Sequence, residues 1–167
     1  PRRMAVGQEI VIPQPGAKPE TPAPAAQRAA VPDRITAASI GLDAQIVTIE
    51  VRQETRDGFP ITVWEEPTKS AGFHVGSRHP GEGGNVIISG GGAQGEVFQG
   101  IADLREGAEV TLYAGERSYK YKVSQVLTMP DKYISAEKRY ENESWLADSP
   151  EERLTLVSSW PPENATH

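Results

Sequence analysis

Cysteine is missing altogether from this 167-residue chain, which excludes disulfides and thiolate metal sites. There is no run approaching the roughly 18 to 20 consecutive apolar residues that cross a bilayer as a helix, and no signal-peptide pattern opens the sequence. Basic runs are equally scarce: nothing exceeds Arg2-Arg3, the net charge is -6, and aromatics, only 7% of residues, are not interleaved with Lys or Arg. Nucleic acid is therefore not an expected partner. The three histidines, His74, His79 and His167, have neither i, i+4 nor clustered spacing, so no metal is expected, and no cofactor.

What remains has room for one domain, since 37% hydrophobic content over 167 residues suffices for a single core. Pro13, Pro15, Pro19, Pro22, Pro24 and Pro32 lie among Ala, Gln and Gly, a composition that favours extended polyproline conformations. Residues 1–32 accordingly read as an extended Pro-rich arm. Beyond it, alternation and β-branched residues predict strands near residues 35–40, 46–51, 86–89, 109–113, 119–128 and 154–158. Tyr119, Tyr121 and Val123 fall on one face of their strand and Lys120, Lys122 and Ser124 on the other, as in a half-buried strand. A hairpin turn is expected at residues 114–117. Short helical stretches are expected at residues 96–104 and 135–146. The class is mainly β, and a closed or nearly closed barrel is expected.

Gly90-Gly91-Gly92-Ala93-Gln94-Gly95 satisfies Gly-x-Gly-x-x-Gly after a strand. A dinucleotide site would need a full helical crossover to a parallel strand, whereas a short helix and a hairpin-like pair follow. Asn142-Glu143-Ser144 and Asn164-Ala165-Thr166 fit the glycosylation pattern and are read as accidental matches.

Two longer segments carry more. One runs from Gly84-Asn85-Val86-Ile87-Ile88-Ser89 through Gly90-Gly91-Gly92 to Phe98; the other is Arg153-Leu154-Thr155-Leu156-Val157-Ser158-Ser159-Trp160-Pro161-Pro162, with Asn164, Thr166 and His167 behind it. Pro32-Asp33-Arg34-Ile35 through Ala44, and Gly72-Phe73-His74-Val75-Gly76-Ser77 through Glu82, precede them. In this order the motifs resemble the sortases, most closely those of the D, E and F classes, from about residue 32 to residue 167. The resemblance implies a sortase-like β-barrel with short helices over residues 33–167, lacking its last strand. In the family, the first segment ends in Gly-His and the second in Thr-Cys-Trp-Pro, followed by Asn-Thr-His-Arg. Here Gly91 stands at the His position and Ser159 at the Cys position, and the sequence stops one residue before the Arg. An open sheet edge is then expected beside the strand ending at Ser159, inviting pairing.

Family chemistry implies thiolate attack on a sorting-signal peptide, His protonation of the leaving amine and Arg stabilisation of the oxyanion. Cys ionises near a pKa of ~8.5, whereas a Ser hydroxyl needs an adjacent base. Acid/base help from His is worth about 10² to 10⁴ in rate. No catalytic residue is thus intact. Thr155, Val157 and Ser159 alternate onto one strand face and, with Trp160, are the candidates for a peptide groove. His74 reads as a packed, hydrogen-bonded residue, His79 as a loop residue, and His167 as structural.

Because neighbours have changed along with the catalytic positions, natural decay is favoured over laboratory inactivation. The expected role is a non-catalytic binding or structural subunit of an extracytoplasmic, cell-envelope assembly in a bacterium. Its partners would be other protein subunits, engaged through residues 1–32, and a sorting-signal-like peptide. Membrane association would come through an anchor absent from this sequence. The alternative is a sortase cysteine transpeptidase in an inactivated form.

Overall fold

Alternating and β-branched runs become strands throughout the computed structural model, which describes residues 30–130 and 134–159 and the backbone of residues 6–12. The strands are β1 (Val6–Ile12), β2 (Arg34–Ala37), β3 (Leu42–Ile49), β4 (Val51–Arg56), β5 (Phe59–Trp64), β6 (Ala71–His74), β7 (Asn85–Ser89), β8 (Glu109–Ala114), β9 (Arg117–Met129) and β10 (Arg153–Ser158). Eight of them close a barrel in the order β1-β10-β7-β6-β3-β2-β8-β9, while β4 and β5 form a separate hairpin. Neighbours β7 and β10 run parallel, as do β3 and β6. Every other barrel pair is antiparallel.

The continuous apolar run Val86-Ile87-Ile88 makes β7 a strand buried along its whole length, as expected where both faces are covered. Val86 and Ile88 join Ile35, Leu112, Tyr121, Leu154 and Leu156 in the barrel core. Each fully buried aliphatic side chain contributes about 1.5–3 kcal/mol through removal from water. The alternate set, Asn85, Ile87 and Ser89 on β7 with Thr155 and Val157 on β10, faces outward yet is also buried.

A second layer covers that outward face. Hairpin β4–β5 turns at Asp57-Gly58, both with positive φ (51° and 85°), the tight turn whose twist suits a two-residue hairpin. Ile61 of β5 is fully buried, and Trp64 tilts against His74 with ring centroids 4.7 Å apart. Helix α1 (Ala136–Asn142), capped by the Ser135 hydroxyl accepting from Lys138 N–H, runs on into a 3₁₀ turn at Glu143–Leu146. The Glu143 carboxylate accepts from both the Thr62 N–H (2.7 Å) and the Thr62 hydroxyl (2.8 Å), satisfying a donor on the outer edge of β5.

Several elements differ from the sequence expectation. The strand expected at residues 35–40 ends at Ala37 and gives way to a 3₁₀ turn, with Gly41 in the left-handed region. The helix expected at residues 96–104 contracts to a 3₁₀ turn at Ile101–Asp103. Its backbone donors are used elsewhere: Val97 N–H goes to Thr68 O, and Phe98 N–H to Gly91 O. The helical stretch expected at residues 135–146 is present.

The edge expected beside the strand ending at Ser159 is not open, because β1 lies between β10 and β9. Its residues belong to the stretch read as an arm, and the β-branched run Ile10-Val11-Ile12 suits a strand. Of that arm, residues 1–5 and 13–29 lie outside the described residues. Among the described residues no helix is long and apolar enough to cross a membrane.

Candidate functional site

Parallel pairing of β7 and β10 brings the ends of the two motif segments to one place. Leu156 pairs with Ile88 and Val157 with Ser89, and the ladder continues as Gly90 N–H donates to Val157 O at 3.0 Å. The buried Ser158 hydroxyl donates to Gly90 O at 2.9 Å. Residues 90–93 are all buried and Ser159 is half-buried. Gly91 and Ser159, assigned from sequence to the same site, are thus neighbours in space.

The space a side chain would need at this site is taken. A Cβ added at Gly91 would fall on the Glu96 carboxylate, which is held there by the Ala93 N–H at 2.9 Å. From the other side Gly91 N–H donates to Pro67 O at 2.9 Å, so the connection from β5 to β6 crosses directly over it. At Gly92 the added Cβ would meet the backbone carbonyl of Ser159 and, at 2.5 Å, the Ser158 hydroxyl. A side-chain carboxylate swings aside more readily than a backbone carbonyl, so the two glycines should respond differently. Gly92→Ala is expected to cost about 1–3 kcal/mol by overpacking, and Gly91→Ala clearly less, as compared in urea unfolding curves. Equal costs would mean that Glu96 is fixed as rigidly as backbone.

No base reaches Ser159 among the described histidines. His74, 2% exposed, pairs Nε2 with the Ser89 hydroxyl at 3.0 Å, and burial lowers its pKa to about 4. It is the packed, hydrogen-bonded residue that its apolar setting implies. His79 lies 3.3 Å from the Glu82 carboxylate, in the loop before Asn85 and so at the far end of β7. His167 and Trp160 lie outside the described residues. Among the described residues no group of three His, Asp or Glu could hold a metal ion.

Thr155 and Val157 share the outward face of β10, but they are 0% and 1% exposed. The Thr155 hydroxyl donates to Asn85 Oδ1 at 2.7 Å, and Asn85 Nδ2 donates to Trp145 O and Ala147 O, each at 3.1 Å. Arg153 Nη2 reaches the same two carbonyls. The segment following α1 is thereby tied onto this face. A cleft of about 490 Å³ opens instead near the start of β7, where His74, Arg78, His79, Asn85 and Asp148 are among its lining residues. Sequence reasoning missed this end, where Arg78 and Asp148 form an ion pair (2.6 Å) and the Arg78 guanidinium lowers the pKa of the Asp148 carboxyl to about 2.

A closed mixed barrel, with two parallel strands whose carboxyl ends converge on one site, defines the class of protein. The sortase-domain family model matches residues 35–167, and the chain belongs to the sortase family. Solved structures agree on the fold. Sortase A of Listeria monocytogenes is 18% identical, with a TM-score of 0.58 over 80% of this chain and 78% of that one. A lid mutant of sortase A from Corynebacterium diphtheriae is 20% identical, with a TM-score of 0.58 over 82% and 65%. A sortase D5 transpeptidase from Clostridium perfringens is 20% identical, with a TM-score of 0.53 over 79% and 71%. No curated protein sequence matches the chain.

Proposed function

We propose that this chain is a sortase-fold module without transpeptidase activity, serving as a binding or structural subunit of an extracytoplasmic, envelope-associated assembly. The observation that carries the reading is the convergence of Gly91 and Ser159 with the Glu96 carboxylate filling the space above Gly91. Among the described residues no histidine accompanies Ser159 as base or acid, and the Glu96 carboxylate occupies the space that a side chain at Gly91 would need. The buried outer faces of Thr155 and Val157 fit a role in which the former groove is structural. Family membership supports an envelope location, protein subunits are the partners proposed, and a sorting-signal-like peptide is the ligand class to test.

The test restores the missing chemistry. Gly91→His with Ser159→Cys is incubated with a sorting-signal peptide and an amine acceptor, and products are read by mass spectrometry. A third change, Glu96→Ala, clears space for the imidazole, and circular dichroism checks that each variant is folded. No cleaved or transferred product is expected from either folded variant. Product from either one would identify the chain as a transpeptidase scaffold inactivated at two positions.

A further inference from the structure

Hairpin β4–β5 has two outer edges, and they are finished differently. On β5 the Glu143 carboxylate takes the outward Thr62 N–H. Among the described residues β4 has β5 as its strand neighbour and none on its far side. An unpaired edge of this kind is a template for strand addition.

Which main-chain groups face that edge follows from the turn. A two-residue hairpin closes on a hydrogen-bonded pair, here Arg56 with Phe59, and such pairs alternate with non-bonded ones along an antiparallel ladder. Glu54 with Ile61 and Arg52 with Val63 therefore bond inward. Thr55 opposite Pro60, Gln53 opposite Thr62 and Val51 opposite Trp64 turn their N–H and C=O groups outward. The β5 side agrees with this phase, since Pro60 has no N–H and that of Thr62 goes to Glu143.

The side chains then select the neighbour. Arg52, Glu54 and Arg56 share one face of β4, and Glu54 accepts from both Arg52 (3.4 Å) and Arg56 (3.2 Å). Charges of a single sign would repel an added strand, but these alternate. An antiparallel second β4 can bond only where outward residues meet outward residues. Two-fold pairing centred on Arg52 or on Glu54 meets that condition but sets Arg against Arg and Glu against Glu. Centred on Gln53, it sets Val51 against Thr55, Arg52 against Glu54 and, just outside the strand, Glu50 against Arg56. Directly opposed unlike charges stabilise a strand pair, and like charges oppose one.

We infer that β4 is a self-association edge, which joins β4 of a second copy of this chain about a two-fold axis at Gln53 and makes the two hairpins one continuous sheet. The same edge serves both copies, so the contact closes on itself and does not propagate. It is independent of whether the Gly91 and Ser159 site is catalytic.

Because the chain has no cysteine, one substitution reports on the register. Gln53→Cys places a thiol at the axis, opposite its own copy, at a Cα separation that a disulfide bridges. Thr55→Cys and Ser39→Cys, at exposed positions off the axis, give the background of random collision. Full chains are oxidised and resolved without reductant, with circular dichroism checking the fold of each. Gln53→Cys is expected to yield a species at twice the 18.1 kDa of one chain, several-fold above both controls. Adding Arg52→Glu, or separately Glu54→Arg, should return the yield to background, because either change sets like charges opposite each other. Mixing those two charge variants should restore it. A Gln53→Cys yield no higher than background overturns the inference and leaves the edge bare or to a strand of another protein. Cross-linking that survives both charge reversals, or a mixture that stays at background, overturns it too, because the thiols would then meet through some other surface or register.

Discussion

Asn85→Ala should destabilise the folded chain by about 3 kcal/mol, read as a lowered urea midpoint without a change in slope. Asn85 is 2% exposed, and its side chain joins three elements: Oδ1 accepts from Thr155 on β10, and Nδ2 donates to Trp145 O and Ala147 O beyond α1. Removing it strands the Thr155 hydroxyl, which is fully buried, and an orphaned buried polar group costs about 1–3 kcal/mol in addition to the lost bonds. The two carbonyls are partly protected, since Arg153 still reaches them. Adding Thr155→Val removes the orphan, so the double variant should be less destabilised than the sum of the singles. Simple additivity would show that the two side chains act independently.

Acid should weaken the protein in two separate windows, and the upper one belongs to His74. Its folded pKa is about 4, against 6.5 when free, because burial penalises the imidazolium. Between these values the unfolded chain holds a proton that the folded chain lacks. Stability from this group is therefore fully present above pH ~6.5, declines as pH falls and levels off near pH 4. At about 1.36 kcal/mol per pKa unit, the difference between pH 7 and pH 4 approaches roughly 3 kcal/mol. His74→Gln keeps a partner for Ser89 and cannot titrate, so its stability should be flat across this window. Asp148, held low by Arg78, acts lower down: its contribution is present above pH ~4 and lost toward pH 2. A wild-type curve as flat as that of His74→Gln would mean that the ring is protonated inside the fold.

The barrel was legible where local pattern and final environment agree. Strands β8 and β9 alternate plainly, and Tyr121 and Val123 are buried as read, at 1% and 3% exposure. The convergence of Gly91 with Ser159 was legible only through motif order, since the strands that bring them together, β7 and β10, pair in parallel across a separation of 68 residues. What stayed hidden depends on partners distant in sequence. Strand β4, Val-Arg-Gln-Glu-Thr-Arg, has no buried residue, so its apolar content gives little sign of it. The Asp57-Gly58 pair between β4 and β5 was the available signal. Strand β1 offered a β-branched run, but both its partners lie more than 100 residues away, and the proline-rich stretch beside it dominated the local composition. Residues 96–104 read as a short helix, while the turns closed by Glu96 on Ala93 and by Phe98 on Gly91 use the backbone otherwise.

The placement of β1 also sets a clock. It is made before the other barrel strands, yet its ladder partners β9 and β10 are the last two of the described barrel strands. The barrel cannot close until β10 has been made, and contacts of such long sequence separation form slowly. During that interval Ile10, Val11 and Ile12 travel as an unpaired apolar ribbon, and their capture is the step that completes the fold.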